Sequence, residues 1–145
     1  MKTVRFAIAA LALSATGATA QDAVVTDQSF KAECSACHMA YPPNLLPASS
    51  WSAIMSGLKE HFGEDASLDE KLAADISLYL LANAGKDSAD AIKPDGTPVL
   101  RISERTWFVR AHSEEVSPAQ LKKAGSFANC TACHQGAENG RFGDD

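Results

Sequence analysis

All four cysteines of this 145-residue chain fall in two pentapeptides, Cys34-Ser35-Ala36-Cys37-His38 and Cys130-Thr131-Ala132-Cys133-His134. Two thiols three positions apart can reach the two vinyl carbons of one haem, and the histidine that follows is then placed under the iron as a proximal ligand. The pattern reads as two covalently bound haem c groups, attached through Cys34 with Cys37 and through Cys130 with Cys133, with His38 and His134 as proximal ligands. A CxxC pair alone also suits a redox dithiol, half of a zinc site or a local disulfide, but none of these needs an adjacent histidine. One zinc ion held by all four cysteines is the plain alternative.

Two haems have four axial positions, and the chain has four histidines. With His38 and His134 proximal, His61 and His112 remain for the distal sides. Methionine is the usual rival ligand. Met39 adjoins His38 and is on the wrong side of its haem, while Met55 lies in an apolar stripe with Trp51, Ile54, Leu58 and Phe62 that favours core packing. His61 shares that face, where a lone histidine also reads as a satisfied core residue. Pairing His38 with His61 and His112 with His134 closes loops of 23 and 22 residues, against 74 and 73 for the crossed pairs. Loop-closure entropy favours the local pairing by only about 1 kcal/mol per haem, so the crossed one stays open.

The elements that must hold these residues are helical. Asp27 is placed to cap a helix that carries Phe30, Cys34 and Cys37 at i, i+4 and i+7. A proline loop follows, Tyr41-Pro42-Pro43 to Pro47, which either lies along a haem edge or simply connects two elements. Ser49 or Ser50 is expected to cap the Trp51–Phe62 stripe, with Gly63 as its C-cap. Ser67 to Glu70 has the form of a capping box opening a helix along Leu72, Ile76, Tyr79 and Leu80, which stops near Gly85. In the second half, Ser103 could cap a short helix bearing Thr106, Trp107, Arg110 and His112, and Ser117-Pro118-Ala119-Gln120 opens another toward Phe127. Nothing reads as a strand.

The expected organisation is therefore all-α, with two small haem-binding helical domains at 21–85 and 99–145. The stretch 86–98, rich in Lys, Asp, Ser, Pro and Gly, is expected as their linker. Residues 1–20 carry Lys2 and Arg5, an apolar run from Phe6 to Leu13, and Ala18-Thr19-Ala20, the form of a signal peptide with its cleavage site. No stretch approaches the roughly 20 apolar residues of a membrane span. Export to the periplasm fits the cysteines, which attachment to haem consumes, so no disulfide is expected. Loss of residues 1–20 leaves 11 basic against 18 acidic residues, a net charge of −7. Twelve of the acids lie in 21–98, including Glu60, Glu64, Asp65, Asp69 and Glu70, against five bases, whereas 99–145 holds six of each. No basic patch suits nucleic acid.

The segments CSACH, AYPPNLLP, SWSAIMSGLKEHFGEDASLD, ISLYL, RTWFVRAH and SFANCTACH together resemble the bacterial dihaem cytochrome c family. The likeness spans most of the chain after residue 20. It implies bis-histidine ligation at His38, His61, His112 and His134. It also implies redox protein partners: a small oxygen-binding cytochrome c that accepts the electrons, and a membrane quinol-linked or cytochrome b donor. Residues 22–84 further resemble a class I cytochrome c, with Phe30 and the DISLYL segment as its crossing terminal helices and with His61 where that class usually supplies methionine.

An iron with two strong protein ligands has no open position for oxygen, peroxide or substrate, and what remains is one-electron exchange through the haem edge. The expected function is a low-potential electron carrier, not an enzyme. The competing reading is a gas-binding or peroxide-reducing haem protein, in which His61 or His112 is a core residue or leaves the iron on reduction.

Overall fold

The computed structural model describes residues 27–143, so the signal-peptide segment 1–20 lies outside the described residues. Five α-helices and several single 3-10 turns make up these residues, and no strand is present among them, only isolated bridges. The all-α expectation holds.

Helix α1 (Gln28–Cys34) starts where expected, because the Asp27 carboxylate accepts the Phe30 N–H at 2.7 Å and satisfies one of the free amides of the first turn. It ends at Cys34, not beyond Cys37. Ser35 is its C-cap, so the two thiols of the first motif do not share a helical face: Cys34 closes the helix and Cys37 lies in the turn that follows.

Helix α2 (Ala48–Ser56) is shorter than its apolar stripe suggested. Its N-cap is Pro47 and not Ser49 or Ser50; Ser50 is wholly buried inside the helix with no hydrogen-bond partner for its hydroxyl. Gly57 ends α2, a 3-10 turn covers Leu58–Glu60, and the chain then reverses over His61-Phe62-Gly63-Glu64. Gly63 is accordingly a turn residue and not a helix cap. Helix α3 (Glu70–Ala82) is capped by Asp69, whose carboxylate accepts from Lys71 and Leu72, and not by the Ser67 capping box. A charged acceptor at the helix start outcompetes a hydroxyl two residues away.

These three helices enclose the main core. Phe30, Leu46, Trp51, Ile76 and Leu80 are buried together, with Met55, Leu72 and Tyr79 against them. Phe30 meets Tyr79 at 5.5 Å and Trp51 edge-on at 6.5 Å, the arrangements aromatic quadrupoles prefer. Met55 thus takes the packing role. The proline loop is drawn onto this core by Gly85, whose N–H donates to the Leu46 carbonyl at 2.8 Å. A Cβ on Gly85 would stand 2.3 Å from the Asn44 carbonyl oxygen. Gly85→Ala should therefore cost roughly 1–3 kcal/mol by overpacking against backbone, read as a lower Tm with the absorption spectrum unchanged.

The stretch 86–98 is tied down at Ala91 and Asp90. Ala91 is buried, and its carbonyl accepts the Val99 N–H at 2.8 Å, while Asp90 takes two hydrogen bonds from Arg105 and one from the Thr106 amide. Arg105 is only 5% exposed, so its guanidinium depends on these acceptors. The Arg105 and Ser88 hydrogen bonds hold the Asp90 carboxyl well below its ordinary range. Because that pKa is depressed in the folded state, its stabilisation is complete above the ordinary carboxylate range and is lost as pH falls toward the folded value. Asp90→Asn should lower Tm at neutral pH, with the gap to wild type closing in acid; a gap independent of pH would show that the carboxylate charge contributes nothing.

Helix α4 (Thr106–His112) begins after Arg105, with Ser103 in the preceding 3-10 turn instead of capping it. Helix α5 (Pro118–Ala124) carries the complete capping box, Ser117 and Gln120 each bonding the other's backbone amide. It stops at Gly125, short of Phe127, where φ is +81°. No helix among the described residues is long and apolar enough to cross a membrane.

Candidate haem sites

Local structure brings the four histidines together in two pairs. His38 follows α1, and His61 comes back to it from the reversal after α2; their ring centres lie 6.1 Å apart with the planes 30° from parallel. His112 ends α4, and its ring lies 6.1 Å from that of His134, with the planes at 84°. Two imidazoles bound end-on to one metal at about 2.0 Å per nitrogen would have ring centres roughly 6 Å apart, so both pairs have the separation that a shared iron requires. The pairs formed are the sequence-local ones.

The ring nitrogens are prepared for a metal. Nδ1 of His38 lies 2.7 Å from the Met39 carbonyl oxygen, and Nδ1 of His112 lies 2.9 Å from that of Phe108. A histidine that donates from Nδ1 to a carbonyl presents a bare Nε2 lone pair, the usual arrangement around a ligating imidazole. Burial first, then the neighbouring His38 and Arg101, lowers the pKa of His61 and so favours the neutral form that a metal ligand needs.

His61 owes its position to backbone torsions that the apolar periodicity does not reveal. Its N–H donates to the Glu64 carbonyl at 2.8 Å and its carbonyl accepts the Glu64 N–H at 3.1 Å, a two-residue reversal with φ of 55° at Phe62 and 102° at Gly63. Positive φ at both central residues is the mark of a type I′ turn. Glycine adopts it freely, whereas phenylalanine is strained there. The Arg101 guanidinium lies 4.0 Å over the Phe62 ring and clamps that residue from the other half of the chain.

Around the second pair the surroundings are aromatic. Phe108 stacks on His112 at 3.9 Å with an 11° tilt, Phe127 meets both rings edge-on, and Phe142 lies 5.8 Å from His134. Together with Leu45, Ile102, Trp107, Leu121, Cys130 and Cys133 they line a cavity of about 550 Å3. A smaller cavity of about 280 Å3 lies between the motifs, lined by His38, Met39 and Ala40 on one side and Thr131 and Glu138 on the other.

The thiols do not suit the rival chemistries. Burial pushes Cys34 up to about 11 and also raises Cys130, the opposite of the depressed thiol that a redox dithiol uses. No group of three or more His, Cys, Asp or Glu among the described residues could hold a metal ion, so the zinc alternative has no site there. The second cavity, with His112 and His134 on its walls and Cys130 and Cys133 at its edge, fits a flat apolar group, and the first pair has the same ring separation.

Two CxxCH motifs in a small all-helical fold define a c-type cytochrome with two haem sites. The chain belongs to the dihaem cytochrome c family: the family model described as "Dihaem cytochrome c" matches residues 30–142. Among solved structures, a dihaem cytochrome c from Rhodobacter sphaeroides is 55% identical with a TM-score of 0.71, the match covering 79% of this chain and 95% of that one. A second structure of the protein purified from Rhodobacter sphaeroides is 57% identical (TM-score 0.70, 79% and 96% covered). A dihaem cytochrome from Shewanella baltica is 40% identical (TM-score 0.66, 80% and 86% covered). No curated protein matches the chain. The protein thus carries two haem c groups and is a haem electron carrier.

Arg101, Phe108, Phe127 and Phe142 escaped the sequence reading as site residues, because aromatic and basic residues carry no spacing signal that separates a haem wall from ordinary packing.

Proposed function

We propose that the protein is a periplasmic, low-potential, one-electron carrier with bis-histidine ligation at both irons. In this reading Cys34 and Cys37 attach the first haem between His38 and His61, and Cys130 and Cys133 attach the second between His134 and His112. The first haem unit is 21–85 and the second 99–145, with 86–98 between them. The observation that carries the reading is the 6.1 Å separation within each histidine pair.

When bound, each haem supplies one reversible electron. The chain's own residues do the rest. Paired imidazoles leave no axial site for a substrate, and carbonyl acceptors at Met39 and Phe108 hold two of the rings in the right tautomer. A net charge of −7 after loss of residues 1–20, and two imidazole donors per iron, both favour the ferric state and hence a low potential. The partners in this reading are redox proteins: a membrane quinol-linked or cytochrome b donor, and an acceptor such as a small oxygen-binding cytochrome c. Encounters of this kind are small and short-lived.

Exposure of the reduced protein to carbon monoxide tests the closed ligation. The spectrum should not change on the timescale of mixing, and potentiometric titration should place both haems below ordinary His/Met cytochromes c. Rapid formation of a carbon monoxide complex at either haem would transfer the protein to the gas-binding class.

A further inference from the structure

Tyr41 touches the first attachment motif and the residue two positions before the second. Its ring stacks on His38 with centres 4.9 Å apart and planes 25° from parallel. Its hydroxyl donates at 2.6 Å to the carbonyl oxygen of Ala128, 87 residues further along the chain. Ala128 stands two residues before Cys130, whose sulfur is 3.8 Å from that same oxygen. One side chain therefore links the proximal histidine of the first motif to the backbone that leads into the second.

Its base is rigid. Pro42 and Pro43 follow it, both buried, and the Trp51 indole donates to the Pro43 carbonyl at 2.7 Å, so the backbone at Tyr41 belongs to the main core. The second motif is, by contrast, a short 3-10 turn and its exit, with none of residues 130–134 buried.

The geometry points to Tyr41 as the positioning residue that couples the two haem sites: it holds the Cys130 segment against His38 and so sets the gap an electron crosses between them. The inference rests on the ligand assignment proposed above. In the crossing, one electron leaves a ferrous iron, which becomes ferric, and reduces the ferric iron of the other site. Tyr41 itself gains or loses neither a proton nor a bond.

Tyr41→Phe keeps the ring on His38 and removes the donor, and Tyr41→Leu removes both. In the holoprotein, both low-spin haems should persist in Tyr41→Phe. After one-electron laser-flash reduction, its intramolecular transfer should slow several-fold, because tunnelling falls off exponentially as the gap between the two centres widens, and Tyr41→Leu should be slower still. Independently of electron transfer, amide exchange at Ala132, Cys133 and His134 should quicken by roughly fivefold, the opening that one lost hydrogen bond permits, while the amides of α3 stay unchanged. An intramolecular rate within twofold of wild type in Tyr41→Phe overturns the inference. Equal quickening of exchange in α3 also overturns it, because Tyr41 would then be a general stabiliser. Failure of the ligand assignment is separate and appears in the wild-type spectrum, as an open or high-spin haem.

Discussion

Replacing His61 by methionine should raise the potential of one haem by on the order of 0.1 V or more, a fraction of the roughly 0.8 V that axial-ligand choice commands, and leave the other unmoved. The turn that presents His61 is fixed by backbone hydrogen bonds to Glu64 and by the torsions of Phe62 and Gly63, none of which involves the imidazole. A methionine at that position would still face His38, and Met55 cannot replace it because it packs against the main core. A thioether donates less charge than imidazole and disfavours ferric iron, which sets the direction of the shift. His112→Met should act likewise on the second haem, with a further loss of order because the ring between Phe108 and Phe127 disappears. Redox titration followed in the visible bands reads both effects. If neither potential moves on replacing one of these histidines, that residue is a packing residue and the haem it was assigned to is open or otherwise ligated.

Removing the second attachment site, by Cys130→Ala together with Cys133→Ala, should have the largest structural effect of any change in the chain. Residues 99–143 bury little of their own: Val99, Phe108 and Ala137 are the buried apolar side chains there, beside the ion-paired Arg105. Such a segment is far too small to build a self-sufficient core, and the aromatic walls of its 550 Å3 cavity have only the haem to close on. Mass spectrometry under denaturing conditions should find the chain with one haem in place of two. Circular dichroism should lose most of the signal of α4 and α5. The first unit should survive, because the buried side chains of the core all come from residues 30–80, with Ile102 packed only partly buried against them. Retention of two haems, or loss of both, contradicts this division of stability.

The contrast between these sites explains what could be read in the chain beforehand. The Asp27 cap, the Ser117–Gln120 capping box and the Leu72–Leu80 stripe are local patterns, in which residues a few positions apart satisfy one another, and the structure keeps them. Local pairing of the histidines was favoured only weakly by loop entropy, and the structure brings the same pairs together. Besides the misplaced helix caps and the early end of α1, what failed was the run from Trp51 to Phe62. Its helical periodicity is real, but Gly57 ends the helix and Phe62 enters the left-handed region, so His61 reaches its partner from a turn. Phenylalanine so rarely adopts positive φ that no residue-type rule anticipates it. Tyr41 to Ala128, Arg101 to Phe62 and Arg105 to Asp90 were equally invisible, because they join positions that only the folded chain makes neighbours.

Low-temperature electron paramagnetic resonance of the fully oxidised protein tests the bis-histidine assignment most directly. The anisotropy of a low-spin ferric iron grows as its two axial ring planes turn from parallel toward perpendicular. The planes lie at 30° for His38 with His61 and at 84° for His112 with His134. Two low-spin signals of equal intensity are therefore predicted, one rhombic and one strongly anisotropic, with no high-spin iron. A high-spin ferric signal accounting for half of the iron, or a single haem's worth of low-spin iron, would contradict the account.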